Sequence, residues 1–106
     1  MVSHDDLWAL IRRVPAGRVV AYGDLGKTLP NPVSGLIVGR WLKSSPEDVP
    51  WWRVVGKDGS LPIAKQSPAL ALEQTSRLEA EGIKFEGDRI STVAFISIDE
   101  LSELNY

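Results

Sequence analysis

The sequence predicts a mostly α-helical fold with short strands, arranged as a winged-helix-like helix-turn-helix domain. Apolar residues recur at helical spacing in several segments. Two of the predicted helices are short and are joined by a tight turn that contains proline, as in a helix-turn-helix. The β-branched runs between turn signals are long enough only for short strands. With 106 residues, the chain is expected to form one domain, 1–106.

The first two helices are predicted in the N-terminal third of the chain. Ser3 and Asp6 have the spacing of a capping box, and the apolar residues after them predict a helix over 4–13. A turn signal follows, and residues 18–21 are expected to be extended. A second helix is predicted over 24–29, and the proline-bearing turn after it stops this helix.

A third helix is predicted over 33–43, with Pro32 at or just before its start. Its apolar positions lie one helical turn apart, so we expect that face to be buried. The residues expected to be buried are Val33, Ile37 and Trp41, flanked by Val38 and Leu42.

The outer face of this third helix is expected to meet DNA. Small residues let a backbone approach closely, and two cations can contact phosphates. Leu36 has no packing partner on its own helix, so it either packs on a neighbouring loop or enters between bases as an apolar wedge from the minor groove. The candidate DNA-binding residues are Ser34, Gly35, Leu36, Gly39, Arg40 and Lys43.

Two adjacent tryptophans, Trp51 and Trp52, stand between a proline and a β-branched run. Pro50 favours extended geometry before the pair, and Val54 and Val55 favour a strand. The indoles are therefore expected where a loop enters a strand. They provide a large apolar area either to a core strand or to a stacking surface, and the residue types alone leave both interpretations open.

The rest of the chain continues the alternation of turns and short elements. Residues 56–60 predict a turn and 61–65 an irregular segment. A last long helix is predicted over 68–81, capped by Ser67 and ended by Gly82. Its buried face is expected to include Ala71, Thr75 and Leu78. After it we expect short strands over 83–85 and 92–96, joined by 86–88, and then a short acidic helix.

Composition excludes several classes of chemistry. Cysteine is absent and the chain has one histidine. Disulfides, thiolate metal sites, thiol nucleophiles and Ser-His arrangements are therefore ruled out, and no cofactor or metal is expected. The first residues do not resemble a signal peptide, and no run approaches the roughly 18 apolar residues of a membrane span. We expect a cytoplasmic protein with no membrane partner.

Charge is divided unevenly along the chain. Residues 11–65 carry nine basic and four acidic side chains, whereas residues 66–106 carry three basic and eight acidic ones. A chain divided in this way can present a basic face to an anionic partner although its formal net charge is -2. An ordinary surface of mixed charge explains the same counts.

The order of several motifs resembles the DNA-binding domain of the O6-alkylguanine-DNA alkyltransferases. The motifs lie at 14–25, 38–39, 50–55, 58–61 and 81–83, and the resemblance covers roughly 5–90. In that family the central motif reads Pro-Cys-His-Arg-Val, and its cysteine takes the alkyl group irreversibly from a guanine flipped out of the duplex. The separate N-terminal domain of the full-length transferases is expected to be missing here.

Trp51 stands where that cysteine would, and Trp52 stands where the histidine would. The chain therefore resembles the alkyltransferase-like, non-enzymatic branch of the family. An indole in such a pocket offers an apolar, polarisable face against which an extruded base can stack. Stacking contributes about 1–3 kcal/mol per base, which offsets much of the cost of base flipping.

The resemblance implies further roles. Tyr22 matches a tyrosine that crowds the phosphate of the target nucleotide, although it could instead tether the helix-turn-helix to the core. Ser34 and Gly35 lie where the recognition helix meets the minor groove. Arg53 lies near the base of the pocket, in a functional or a structural role. Lys65 lies in a loop that walls the pocket, where a plain surface lysine is the alternative. The expected lesion pocket comprises Trp51, Tyr22, Arg53, Lys65 and Trp52.

Three positions depart from the family pattern. Leu36 stands where the family has an arginine finger, and leucine fills the gap left by a flipped base without bonding the orphaned partner base, so weaker affinity or discrimination is expected. Ser45 aligns with the asparagine that usually precedes the central motif. Trp52 follows Trp51 where a polar residue is common, and it either packs inward or lines the DNA side.

The predicted function is recognition of O6-alkylguanine in double-stranded DNA, without alkyl transfer, by a monomer that bends the DNA. By resemblance, its partners are nucleotide excision repair proteins, and it is associated with the nucleoid, or with the nucleus in a eukaryote. The alternative is a sequence-specific transcriptional regulator that uses the same helix-turn-helix in the major groove.

Overall fold

The computed structural model describes residues 4–103. In this part of the chain, helices dominate and the strands are two residues long, as predicted. The helices are α1 His4–Arg12, α2 Tyr22–Thr28, α3 Gly35–Leu42, α4 Pro68–Ala80 and α5 Ile98–Glu103. The strands are β1 Val20–Ala21, β2 Val54–Val55, β3 Phe85–Glu86 and β4 Arg89–Ile90. Short 3-10 turns occupy Trp51–Arg53, Pro62–Lys65 and Thr92–Ala94.

Helix α1 confirms the first predicted helix, although Ser3 of the predicted capping box lies outside the described residues. Its apolar face supplies Leu7 and Ile11 to the larger of two buried clusters. Leu25 of α2 and Val38 of α3 are fully buried in the same cluster. The helix-turn-helix is thus anchored on α1. None of the described helices is long and apolar enough to cross a membrane.

The α2–α3 pair confirms the predicted helix-turn-helix. Helix α2 begins at Tyr22, two residues earlier than predicted, directly after β1. The turn returns so closely that the Val33 amide donates to the Gly26 carbonyl at 3.0 Å. A Cβ atom at Gly26 would lie 2.1 Å from the Val33 oxygen, so this crossing needs glycine.

Helix α3 starts two residues later than predicted, and its buried face is centred on the two residues that were expected only to flank it. The helix begins at Gly35, capped by Ser34, whose Oγ accepts from the Ile37 amide at 3.4 Å. Val33 takes part in the preceding turn instead, because its amide is bonded to α2. The buried residues of α3 are Val38 and Leu42, and the three that were expected at its centre, Val33, Ile37 and Trp41, are only half-buried.

Strands β1 and β2 form a parallel pair in the middle of the molecule. Val20 lies opposite Val54 and Ala21 opposite Val55, and all four residues are buried. The pair connects the start of α2 to the turn that carries Trp51 and Trp52, which is a 3-10 turn at the entry to a strand. The expected loop-to-strand position of the tryptophans is therefore confirmed.

The last long helix begins and ends close to its predicted limits. Ser67 Oγ accepts from the Leu70 amide at 3.3 Å, Pro68 occupies the first turn, and Gly82 follows the helix with a φ of 89°. Its buried residues are Gln74 and Leu78, whereas the predicted Ala71 and Thr75 are half-buried.

The strands expected over 83–85 and 92–96 do not pair. The hairpin is formed by β3 and β4, and Thr92–Ala94 is a 3-10 turn. Residues 94–96 bond to Val19 instead, because the Val19 amide donates to the Ala94 carbonyl and the Val19 carbonyl accepts from the Ile96 amide, both at 2.9 Å. Only Phe95 forms an isolated bridge, with Val19. Residues 61–65, expected to be irregular, contain the 3-10 turn Pro62–Lys65, and α5 confirms the final acidic helix.

Candidate nucleic-acid interface

A cavity of about 710 Å³ lies beside the recognition helix α3 and is walled by the tryptophan turn and α4. Its size falls within the range of roughly 300–1,000 Å³ that is typical of ligand pockets. The lining combines aromatic, apolar and charged side chains, among them Tyr22, Trp51, Trp52, Ile63, Glu73 and Arg77. The structure therefore brings together three of the five residues predicted for the lesion pocket.

Trp51 is half-buried between the core and the cavity. Its ring packs against the larger buried cluster and also lines the cavity. Its amide donates to the Val49 carbonyl at 2.8 Å, within the turn. One part of the indole is thus anchored while another is available for stacking.

Trp52 packs against the smaller buried cluster and lines the same cavity. Its Nε1 donates to Glu81 Oε2 at 2.9 Å. The guanidinium carbon of Arg77 lies 4.5 Å from the centroid of its ring, and that of Arg53 lies 5.5 Å away, both at cation–π distance. Trp52 therefore packs inward and reaches the cavity at the same time.

Arg53 has a structural role in this arrangement. Its Nη2 lies 2.7 Å from Glu81 Oε2, and its Nη1 donates to the Val14 carbonyl at 2.8 Å. Both charged side chains are mostly buried, with 16% and 14% exposed. Burial acts to raise the pKa of Glu81, but hydrogen bonds from Arg53, Trp52 and the Gly17 amide lower that pKa below its usual value. Arg53 ties the tryptophan turn to α4 and to the chain after α1.

Gln74 is fully buried on α4 and is bonded to the main chain of the tryptophan turn. Its Nε2 donates to the Trp52 carbonyl at 3.1 Å and to the Val54 carbonyl at 3.0 Å. The sequence analysis did not single out Gln74, Arg77 or Glu81 as site residues. Their spacing of three and four positions along one helix was a signal that they share a face.

Tyr22 stands at the first position of α2 and forms one wall of the cavity. Two glycines of α3 lie against it. A Cβ at Gly35 would be 3.2 Å from Tyr22 Cβ, and one at Gly39 would be 3.8 Å from its ring. Burial raises the pKa of Tyr22 from its ordinary value of 10.0 to about 12. The phenol, which is neutral at physiological pH at either value, can donate to a phosphate oxygen. Gly39, predicted on the outer face, is half-buried beside this ring.

The exposed face of α3 carries Leu36 and Arg40, and the exposed Lys43 directly follows the helix, so these three predicted residues are accessible. Leu36 is 65% exposed, so it projects from the helix rather than being buried by a loop. A second, smaller depression of about 170 Å³ separates Leu36 and Arg40 from Ile63 and Gln66. An exposed leucine one turn before Arg40 and beside this depression is suited to insertion between bases.

Comparison with known protein families identifies the family to which this domain belongs. The family model "6-O-methylguanine DNA methyltransferase, DNA binding domain" matches residues 3–83. The chain belongs to this family. The matched residues include both helices of the helix-turn-helix, the tryptophan turn and α4, in agreement with the resemblance found in the sequence.

Two relatives each match about three-quarters of this chain. A DNA base-flipping protein of Escherichia coli (strain K12) is 35% identical over 83 residues, which are 76% of this chain and 62% of that protein. This chain therefore spans about three-fifths of that relative's length. A DNA base-flipping protein of Vibrio parahaemolyticus is 32% identical over 80 residues, 74% of this chain and 77% of that protein.

A solved structure shows the same fold on DNA. Atl1 of S. pombe, crystallised with damaged DNA containing O6-carboxymethylguanine, superposes with a TM-score of 0.69 at 27% identity, and the match covers 78% of each chain. The expected winged-helix-like helix-turn-helix fold is confirmed by this likeness.

Lys65, which was predicted to wall the lesion pocket, is not among the residues that line the tryptophan cavity. Its exposed side chain lines a separate depression of about 740 Å³ between Pro62–Lys65, α4 and the β-hairpin, whereas Ile63 of the same turn lines the tryptophan cavity. A 3-10 turn directs side chains two positions apart to different sides. Ser45, aligned with a family asparagine, lines the tryptophan cavity.

Proposed function

We propose that this protein recognises O6-alkylguanine in duplex DNA, turns the modified base out of the helix and holds it against Trp51. One observation carries the proposal: the half-buried Trp51 lines a cavity of about 710 Å³ that opens beside the exposed face of α3. A flipped base needs an aromatic surface and a space next to the groove-binding element, and both are found here.

The approach to DNA is proposed to run through the minor groove. Ser34 and Gly35 bring the start of α3 close to the backbone, and Leu36 enters the stack where the base leaves it. Arg40 is exposed on the same helix and Lys43 is exposed directly after it, and both would contact phosphates. The neutral Tyr22 would contact the phosphate of the extruded nucleotide without repelling it.

The proposed recognition involves no transfer of the alkyl group. In alkyltransferases the acceptor is a thiolate, and this sequence contains no cysteine. We propose that Trp51 occupies the position of that nucleophile, which matches its place in the central motif. An indole carbon or N–H is a poor nucleophile at neutral pH, whereas its face stacks well on a purine.

Similar proteins support the wider setting of this proposal. Two relatives are named DNA base-flipping proteins, and Atl1 was crystallised with DNA containing O6-carboxymethylguanine. We propose that this chain acts as a monomeric single domain, and that the bent, marked DNA is passed to nucleotide excision repair. The repair step rests on the family resemblance alone.

The test is a binding titration of two duplexes that differ only at one guanine, which is O6-methylated in one of them. Tighter binding to the modified duplex supports the proposal, and equal affinities would refute it. Intact masses of protein and DNA after incubation should be unchanged, because a mass gain of one alkyl group on the protein would contradict the absence of transfer. Selection from a random duplex library should give no consensus sequence, whereas a sequence-specific transcriptional regulator would select one.

A further inference from the structure

Trp52 is held from several directions by one face of α4. Glu81 accepts a hydrogen bond from Trp52 Nε1 at 2.9 Å, and the Arg77 guanidinium lies over the Trp52 ring at 4.5 Å. Gln74 Nε2 donates to the Trp52 carbonyl at 3.1 Å. Arg77 is itself fixed by Glu73, at 2.9 Å. Both the ring and the main chain of Trp52 therefore have defined positions.

The ring of Trp52 in turn contacts Trp51 edge to face. The ring centroids are 6.2 Å apart and the planes are inclined by 87°. This is a favourable geometry for an aromatic pair, because the positive edge of one ring meets the negative face of the other. The orientation of Trp51 in the cavity thus depends on that of Trp52.

We propose that Trp52 and Glu81 are positioning residues for lesion recognition. Glu81 fixes the Trp52 ring, and Trp52 holds Trp51 ready to receive the base before the base arrives. Such preorganisation improves affinity because less freedom is lost on binding. The inference rests on the proposed function. Glu81 is absent from the described lining of the cavity, so its effect on the lesion must pass through Trp52.

The first test is the variant Trp52→Phe, which keeps an aromatic ring and the ion pair between Arg53 and Glu81 but removes the Nε1–H donor. The Kd for the O6-methylguanine duplex is expected to rise about three- to tenfold, whereas the Kd for the unmodified duplex stays the same. The matched control is Trp8→Phe, in a buried residue of α1 outside the cavity. It is expected to lower stability and to leave the ratio of the two Kd values unchanged.

The second variant is Glu81→Gln, which carries the test if Trp52→Phe does not fold. Glutamine keeps one acceptor oxygen for Trp52 Nε1, so the preference for the O6-methylguanine duplex should be weaker than in the wild type but not abolished, and a folded Glu81→Gln with the full wild-type preference would overturn the positioning role. A wild type that discriminates between the duplexes and a folded Trp52→Phe that discriminates equally well would overturn the positioning role alone. Equal weakening for both duplexes would also overturn it, since that is the effect of a merely structural residue. A wild type without discrimination would overturn the proposed function itself.

Discussion

Glu81 Oε2 lies 2.7 Å from Arg53 Nη2 and 2.9 Å from Trp52 Nε1, so a single carboxylate joins the end of α4 to two consecutive residues of the tryptophan turn. The Gly17 amide donates to the other oxygen of the same carboxylate at 3.2 Å. This carboxylate links three segments that are far apart in the sequence, and each of its partners is a donor that favours the ionised form.

The stability of the protein should therefore decrease in acid. The pKa of Glu81 in the folded protein lies below its ordinary value of 4.5. For a lowered pKa, the stabilisation is fully present above the ordinary value and is lost as the pH falls through the folded value. Urea unfolding at pH 7, 5 and 3.5 measures this, and we expect the free energy of unfolding to fall mainly below about pH 4.5.

Glu81→Gln should remove part of this pH dependence and lower the stability at pH 7. Replacing one partner of a mostly buried ion pair costs about 3 kcal/mol when the other charge is left uncompensated, and less when glutamine still accepts a bond. Glu79→Gln, at an exposed position of the same helix, is the control. An acid dependence that is the same in both variants would contradict the role given to Glu81.

Trp51→Ala should weaken binding to the lesion duplex by about 10- to 100-fold, because loss of base–aromatic stacking typically costs about 1–3 kcal/mol. Binding to the unmodified duplex should change little, since that base stays in the helix. Trp51→Phe should retain part of the preference. Fluorescence anisotropy with labelled duplexes measures the six affinities, those of the wild type and the two variants for each duplex. A Trp51→Ala variant with an undiminished lesion preference would show that the base is held elsewhere.

Leu36→Arg should strengthen binding to the lesion duplex, because arginine fills the gap and also bonds the orphaned partner base. Leu36→Ala should weaken it by about tenfold, since alanine is too short to fill the vacated space. Leu36 is 65% exposed, so neither change should alter the melting temperature much. Leu72→Ala, at an exposed leucine of α4, is the control and should leave both affinities unchanged. If Leu36→Ala binds like the wild type, insertion of Leu36 is excluded.

Gly26→Ala should destabilise the protein, whereas Gly23→Ala in the same helix should not. A Cβ at position 26 would lie 2.1 Å from the Val33 oxygen, while one at position 23 meets nothing within 4 Å. Forcing the α2–α3 turn apart should cost about 1–3 kcal/mol, and the alanine at 23 should gain a few tenths by helix propensity. Thermal unfolding of the two variants provides the comparison. Equal melting temperatures would show that the turn can relax.

Sequence patterns were sufficient for the parts of the fold that depend on local signals. Ser67, Pro68 and Gly82 bounded α4, and the proline-bearing turn located the helix-turn-helix. The buried face of α3 was not predictable, because apolar residues cover a wide part of the helix surface. The hydrogen bond from the Val33 amide to the Gly26 carbonyl determines which of these residues are buried. The strand expected over 92–96 was not predictable in its pairing, because its main chain bonds to the distant Val19 through the Ala94 carbonyl and the Ile96 amide.

Some residues of the candidate site could likewise be predicted from the sequence and others could not. Tyr22, Trp51 and the exposed face of α3 were predictable, since the motif order and residue types identify them. The contacts of Gln74, Arg77 and Glu81 with Trp52 were not predictable. These residues lie 22 to 29 positions after Trp52, and apolar periodicity carries no information on polar contacts. The same long-range contacts explain why Trp52 could not be oriented from the sequence.

The most direct measurement of the central claim uses a fluorescent cytosine analogue placed opposite O6-methylguanine in a duplex. If the modified base is turned out against Trp51, the analogue loses its pairing and its fluorescence should rise when the wild-type protein binds. The rise should be absent with unmodified guanine and reduced in Trp51→Ala. Saturating binding to the lesion duplex with no change in fluorescence would contradict the account, because the lesion would then be recognised inside the helix.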